Sequence, residues 1–184
     1  ITDFDPLSGP IHGRIRLEII GTDIGVVFDD VLQILIHDLE CDLTGMGEYY
    51  QPGQSVSCMA PMSTQVKSGI IDITVASGGG NKTGQSTKEF QYRDPVITGF
   101  SPREGPMAGG TNITIDGMYL DTGRDITARF RDADCVEISV QDEIATCITS
   151  SIPENAQVSV TLAMTFDGKE RQFSGYDFTY MPNP

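Results

Sequence analysis

Ile97 to Gly117 reads ITGFSPREGPMAGGTNITIDG, and Ile1 to Gly21 reads ITDFDPLSGPIHGRIRLEIIG. The two stretches align without a gap. Ile1, Thr2, Phe4, Pro6, Gly9, Pro10, Gly13, Ile19 and Gly21 recur as Ile97, Thr98, Phe100, Pro102, Gly105, Pro106, Gly109, Ile115 and Gly117. A repeat of roughly a hundred residues is a duplicated domain, because solenoid periods run about 20–50. Each copy has the grammar of strand, turn, strand. Ile97 to Phe100 is a short edge strand, and Pro102 ends its pairing for want of an N–H. Gly105-Pro106 and Gly109-Gly110 punctuate a turn that calls for positive φ. Ile113 and Ile115 then alternate with Asn112, Thr114 and Asp116, the period of a half-buried strand. Leu17 and Ile19 take the inward places in the first copy.

The rest of each repeat follows the same pattern. Val31 to His37 reads as a strand with Leu32, Ile34 and Ile36 inward, which leaves Val31 and Leu35 outside. Its counterpart, Asp125 to Arg131, places Ile126, Ala128 and Phe130 inward and puts Asp125 and Arg129 where Val31 and Leu35 stand. Val31 and Leu35 are therefore a candidate contact surface, with cover by a neighbouring loop as the alternative. Cys41 to Cys58 is mostly loop, rich in glycine and proline. Ile71, Ile73 and Val75 face inward from a later strand, and Val158, Val160 and Leu162 are expected to match them. Phe90 and Tyr92 share one face of a closing strand, as do Phe178 and Tyr180. No segment has a helical period. Some seven strands per repeat indicate an all-β chain of two tandem immunoglobulin-like sandwiches, residues 1–94 and 95–184. Between them Tyr92-Arg93-Asp94-Pro95-Val96 offers no glycine–serine tether for free swivelling.

Composition narrows the function. The net charge of the 184 residues is −14, and residues 1–95 and 96–184 each carry 13 acids against 6 bases, −7 apiece. No stretch is basic enough for a nucleic-acid footprint or for attraction to anionic lipid, so neither nucleic acid nor direct membrane contact is expected. Domains of about ninety residues bury only about 60% of their unfolded surface and gain from a covalent cross-link. There are two cysteines per repeat, Cys41 and Cys58, then Cys135 and Cys147. Three connectivities are open in principle, and the duplication favours 41–58 and 135–147. Zinc fails on spacing, for there is no C-x₂₋₄-C and His12 and His37 make no H-x₃₋₅-H pair. Disulfides imply an oxidising compartment. The sequons Asn81-Lys82-Thr83 and Asn112-Ile113-Thr114 agree with it, and Asn81 and Asn112 are candidate glycosylation sites.

Candidate chemistry is sparse, and the expectation is a protein that is not an enzyme and binds no cofactor. His37 and Asp38 sit next to one another on a strand, where neighbours point to opposite faces. Asp132 and Asp134 fall short of the 6–8 oxygens calcium takes. Ser77 to Gly84, SGGGNKTG, lacks the Gly-Lys-[Ser/Thr] and the following helix of a phosphate-binding loop, and reads as a hairpin loop. No apolar run approaches the ~20 residues of a membrane span, and no signal peptide is present, so an excised piece of a larger secreted or membrane-anchored protein is expected.

Gly105-Pro106, Gly109-Gly110-Thr111, the alternating strand and Gly117 resemble the IPT/TIG domain, an immunoglobulin-like fold. The first copy departs at Arg14 and Ile15, where the family has Gly-Thr. Within that family the details are similar to plexins, the semaphorin receptors. Gly25-Val26-Val27-Phe28-Asp29-Asp30-Val31 resembles their first-repeat loop, and Leu120-Asp121-Thr122-Gly123 a motif of the next repeat. Phe90-x-Tyr92-x-Asp94-Pro95 and Phe178-x-Tyr180-x-x-Asn183-Pro184 resemble plexin domain ends. The resemblance covers the whole chain. It implies an extracellular stalk segment of a single-pass cell-surface receptor. It also implies neighbouring PSI and IPT domains, and a semaphorin bound by the full receptor through a domain outside these two. The alternatives are an IPT pair from a hepatocyte growth factor receptor-like kinase ectodomain, a Rel-type DNA-binding IPT domain, and an accessory domain of a carbohydrate enzyme. The charge opposes the second and the lack of tryptophan the third.

Overall fold

A computed structural model describes residues 1–154, 156 and 158–182. The Asn183-Pro184 end quoted above lies outside them. The chain divides into two compact units, Ile1–Arg93 and Asp94–Pro184. The division falls one residue ahead of the expected boundary, and Asp94 is held within the second unit by Arg171, whose Nη2 donates to its Oδ1 at 2.8 Å.

The strands of the first unit are β1 (Asp3–Asp5), β2 (Ser8–Pro10), β3 (Arg16–Ile24), β4 (Val31–Ile36), β5 (Leu39–Glu40), β6 (Gly53–Met59), β7 (Lys67–Ser77) and β8 (Gly80–Arg93). They form two sheets, β1-β3-β6 and β2-β8-β7-β4-β5. Alternation along β3 and β7 puts Leu17 and Ile19 from one sheet against Ile71, Ile73 and Val75 from the other. Phe90 and Tyr92 close the core in an edge-to-face pair, ring centroids 5.1 Å apart.

The second unit runs β9 (Val96–Ser101), β10 (Glu104–Pro106), β11 (Asn112–Met118), β12 (Ile126–Phe130), β13 (Ala133–Gln141), β14 (Ile144–Thr149), β15 (Ser159–Val160), β16 (Leu162–Phe166), β17 (Lys169–Gln172) and β18 (Phe178–Met181). One sheet is β10-β18-β15. The other, β17-β16-β12-β13-β14-β11-β9, is continuous because β13 pairs with β12 at its start and with β14 along its length. Its register shifts between Val136 and Ser139, where Glu137 takes a φ of 54°, so the strand bends and serves both halves of the layer. Phe178 and Tyr180 repeat the closing aromatic pair, 5.0 Å apart.

The opening motif folds alike in both copies. Gly13 and Gly109 have φ of 67° and 78°, and a Cβ on either would fall within 2.7 Å of backbone atoms. Arg14 stands where the second copy has Gly110, and it adopts the same left-handed backbone, φ 64° against 83°. The side-chain difference therefore leaves the turn unchanged.

Two inward patterns differ from expectation. Leu32 is exposed and Val31 buried, because β4 carries a bulge: Val31 pairs with Val75 while Gln33 pairs with Thr74. The extra residue reverses the alternation upstream of Gln33. In the second unit Val158 is exposed, and the match to Ile71, Ile73 and Val75 is Leu162, Met164 and Phe166. Leu162 opposes Phe130 as Ile71 opposes Ile36. Val160 belongs instead to β15, which pairs with β18 in the smaller sheet.

Candidate functional site

Both disulfides lie inside the cores. Cys41 bonds Cys58, with Cα atoms 5.7 Å apart, and joins the end of β5 to β6, thereby linking the two sheets of the first unit. Cys135 bonds Cys147 at 5.5 Å and ties β13 to its neighbour β14. All four side chains are buried, so none is available as a nucleophile.

The segment after Gly25 is a built loop. Asp30 Oδ2 accepts hydrogen bonds from the backbone N–H of Val26 at 2.7 Å and of Val27 at 3.0 Å. Those two N–H donors hold the Asp30 carboxyl below the ordinary aspartate range. Gly25 has a φ of 69°, and its carbonyl accepts from Gly53 N. The Tyr50 hydroxyl donates to Ile24 O at 2.8 Å, and the Tyr50 ring meets Phe28 edge-on. This frame leaves Val26 and Val27 pointing into solvent, 78% and 56% exposed. With Asp23, Val75 and Lys82 they line an open cleft between the loop and the β7–β8 hairpin.

The candidate contact surface is corrected by the bulge. Val31 is buried, and Leu35 is half-buried opposite Asp72 of β7 and Glu40 of β5. The exposed apolar residues of this region are Leu32, Val26 and Val27. A bulge leaves no periodic trace in the sequence, so the phase of Val31 could not be read there.

Asn81 is in β8 rather than in a loop. It opposes Ala76, and the turn takes only Gly78 and Gly79. Asn112 opens β11 and is exposed, opposite Ile148 of β14. His37 and Asp38 occupy the turn after β4, where His37 takes a φ of 62°. His37 Nε2 lies 3.8 Å from Asp38 Oδ1, while Lys67 Nζ donates to that oxygen at 2.8 Å and sets its depressed pKa. Asp132 pairs with Arg131 at 3.3 Å. Among the described residues no group of three or more His, Cys, Asp or Glu could hold a metal ion. Among the described residues no helix is long and apolar enough to cross a membrane.

Aromatic–arginine stacks escaped the sequence. Arg103 lies over the Tyr176 ring at 3.6 Å, and the Tyr176 hydroxyl bonds both Phe100 N and Phe100 O at 2.9 Å. Arg16 lies over Tyr49 at 4.3 Å. These partners are 73 and 33 residues apart, read as the differences of their numbers, and no spacing rule connects them.

Two sandwiches, each with its own internal disulfide and each opening on the same glycine–proline turn, define a tandem immunoglobulin-like pair. The IPT/TIG domain matches residues 1–92 and again 95–180, and the chain belongs to this family, as a pair of the kind found in the extracellular region of plexins. Mouse plexin-B2 is 32% identical over 188 aligned residues, covering 100% of this chain and 10% of that protein. Human plexin-B1 is 31% identical over 188, covering 100% and 8%. The chain thus spans about a tenth of the curated relatives it matches. Among solved structures, the full extracellular region of plexin A4, domains 1 to 10, superposes with a TM-score of 0.83 at 22% identity, covering 100% of this chain and 15% of that one.

Proposed function

We propose that the pair is a stalk segment of a plexin-like receptor, spacing and orienting a ligand-binding head relative to the membrane and performing no catalysis. On this reading the semaphorin binds the whole receptor through another domain, and PSI and IPT domains flank these two. The observation that carries it is the junction. β8 ends at Arg93 and β9 begins at Val96, so only Asp94 and Pro95 lie between two cross-linked sandwiches. Proline fixes its own φ and restricts the residue before it, which makes this a stiff connection. The comparison with plexins supplies the receptor context.

The test is an insertion of four glycines after Asp94 in the receptor that carries this pair. A spacer predicts that semaphorin binding at the cell surface is retained while the response to it falls. An unchanged response would contradict the role, and so would lost binding with correct surface delivery.

A further inference from the structure

The two repeats present the same outward row of three side chains and cover it differently. In the first unit Arg16 of β3 opposes Met59 of β6, and Met59 is bridged to Asp42, the residue after Cys41. In the second unit Asn112 of β11 opposes Ile148 of β14, which opposes Val136 of β13, the residue after Cys135. Residues directly opposite one another in a ladder share a face. Leu17 and Cys58, like Ile113 and Cys147, are buried, so these rows face away from the cores.

In the first unit protein covers the Arg16 end of the row and leaves Asp42 exposed. The stretch from Cys41 to Cys58 contains a short 3-10 helix, Met46–Tyr49, and Arg16 is half-buried with its guanidinium over the Tyr49 ring. In the second unit the cysteines are 12 apart rather than 17, and the strands β13 and β14 with a tight turn fill the interval. No counterpart of that helix exists there. Ile148 is half-buried like its counterpart Met59, and the difference lies at Val136, which is 45% exposed where the first unit has the exposed Asp42, so the open end of this row is apolar. Asn112 stands where Arg16 stands. It is exposed, and its side-chain amide takes no partner among the described residues.

We propose that an N-linked glycan on Asn112 covers this row, its first N-acetylglucosamine packing across Ile148 and Val136, in the place that the Arg16–Tyr49 stack takes on the sister row. A sugar ring carries an apolar face of C–H groups, and its N-acetyl group adds a methyl. The Cβ atoms of directly opposed residues are about 4.5–5.5 Å apart, so the ring attached to Asn112 lies within reach of Ile148. Burying that surface is favourable in proportion to its apolar area. Asn81 offers no such seat: it faces Ala76 across a hairpin of glycines, and a Cβ on Gly78, Gly79 or Gly80 would touch nothing within 4 Å.

The inference rests on the extracellular reading. The test uses the pair secreted from cells that make high-mannose glycans, with site occupancy and disulfides read by mass spectrometry. Thermal unfolding then compares the intact glycoprotein, the same protein trimmed by endoglycosidase H to one sugar per site, Asn112→Gln and Asn81→Gln. We expect Asn112 to be occupied and the trimmed protein to unfold with the intact one. Asn112→Gln should unfold lower by about 4–8 °C, the scale on which a modest contact moves a domain of this size. Asn81→Gln should differ by less than about 1 °C on that scale. In a Val136→Ser background the effect of Asn112→Gln should fall by at least half. Enzymatic removal of the whole glycan from the secreted protein and from Val136→Ser gives the same comparison on folded protein without the Asn112→Gln variant. An unmodified Asn112 beside formed disulfides overturns the inference and leaves the extracellular reading intact. Free thiols with both sequons bare overturn the two together. Occupancy with equal losses in both backgrounds overturns the packing.

Discussion

At the residue scale the duplicated turn separates two adjacent glycines. Gly109 and Gly110 both have positive φ, but only Gly109 is crowded: a Cβ there meets Ser150 and Ser151 backbone atoms at 2.7 Å, while one on Gly110 meets nothing within 4 Å. The first repeat has already made the second substitution, for Arg14 holds the same conformation. Gly109→Ala should therefore cost more than the ~1 kcal/mol of a left-handed alanine, and Gly110→Arg no more than about that amount, both checked by chemical denaturation. Equal costs would show that the backbone contact is not what fixes Gly109. Asp30 gives a pH prediction. Its folded pKa is depressed by the Val27 and Val26 N–H bonds, so their contribution is present above the unfolded pKa and is lost as pH falls through the folded one. The amide resonances of Val26 and Val27 should titrate below the ordinary value of 3.8 and move together. A midpoint at or above 3.8 would detach the carboxylate from the loop.

At the element scale each unit is closed twice, by a disulfide and by its last strand. The Tyr92 hydroxyl donates to Pro61 O at 3.0 Å, and Tyr180 to Ser150 O at 3.2 Å, so the same strand end is pinned in both repeats. Tyr92→Phe should destabilise the first unit by about 1 kcal/mol, or about 4–8 °C in its melting temperature. A silent substitution would mean that water replaces the bond. Reducing Cys135–Cys147 should cost the second unit about 3 kcal/mol by the chain-entropy account, close to the effect at Cys41–Cys58, since 12 and 17 residues differ little on a logarithmic scale. Much of this was legible in the sequence. Leu17, Ile19, Ile113 and Ile115 announce their faces by alternation, and all are buried. What alternation cannot carry is where a strand starts, stops or changes partner. Val158 to Phe166 alternates for nine residues by their numbers, yet Val160 pairs with β18 and Leu162 with β12, so the chain crosses between sheets inside one uniform pattern. The β4 bulge hides in the same way, because Val31 and Leu32 are both apolar and either could face inward. At Asn81 three successive glycines imitate a loop, although strand pairing extends to Ser77 and Gly80.

At the scale of the whole molecule, a spacer must transmit orientation, and the central claim is that Asp94-Pro95 is too short and too stiff to let the two units turn independently. Nitrogen-15 relaxation of the isolated pair tests it most directly, because amides in each unit report how that unit tumbles. The account predicts that β1–β8 and β9–β18 both report the long rotational correlation time of a single 184-residue body. Insertion of four glycines after Asp94 should shorten it in both units toward that of a free domain of about ninety residues, since glycine-rich tethers behave as flexible coil. Short, domain-sized correlation times in the unmodified pair, unchanged by the insertion, would contradict the claim.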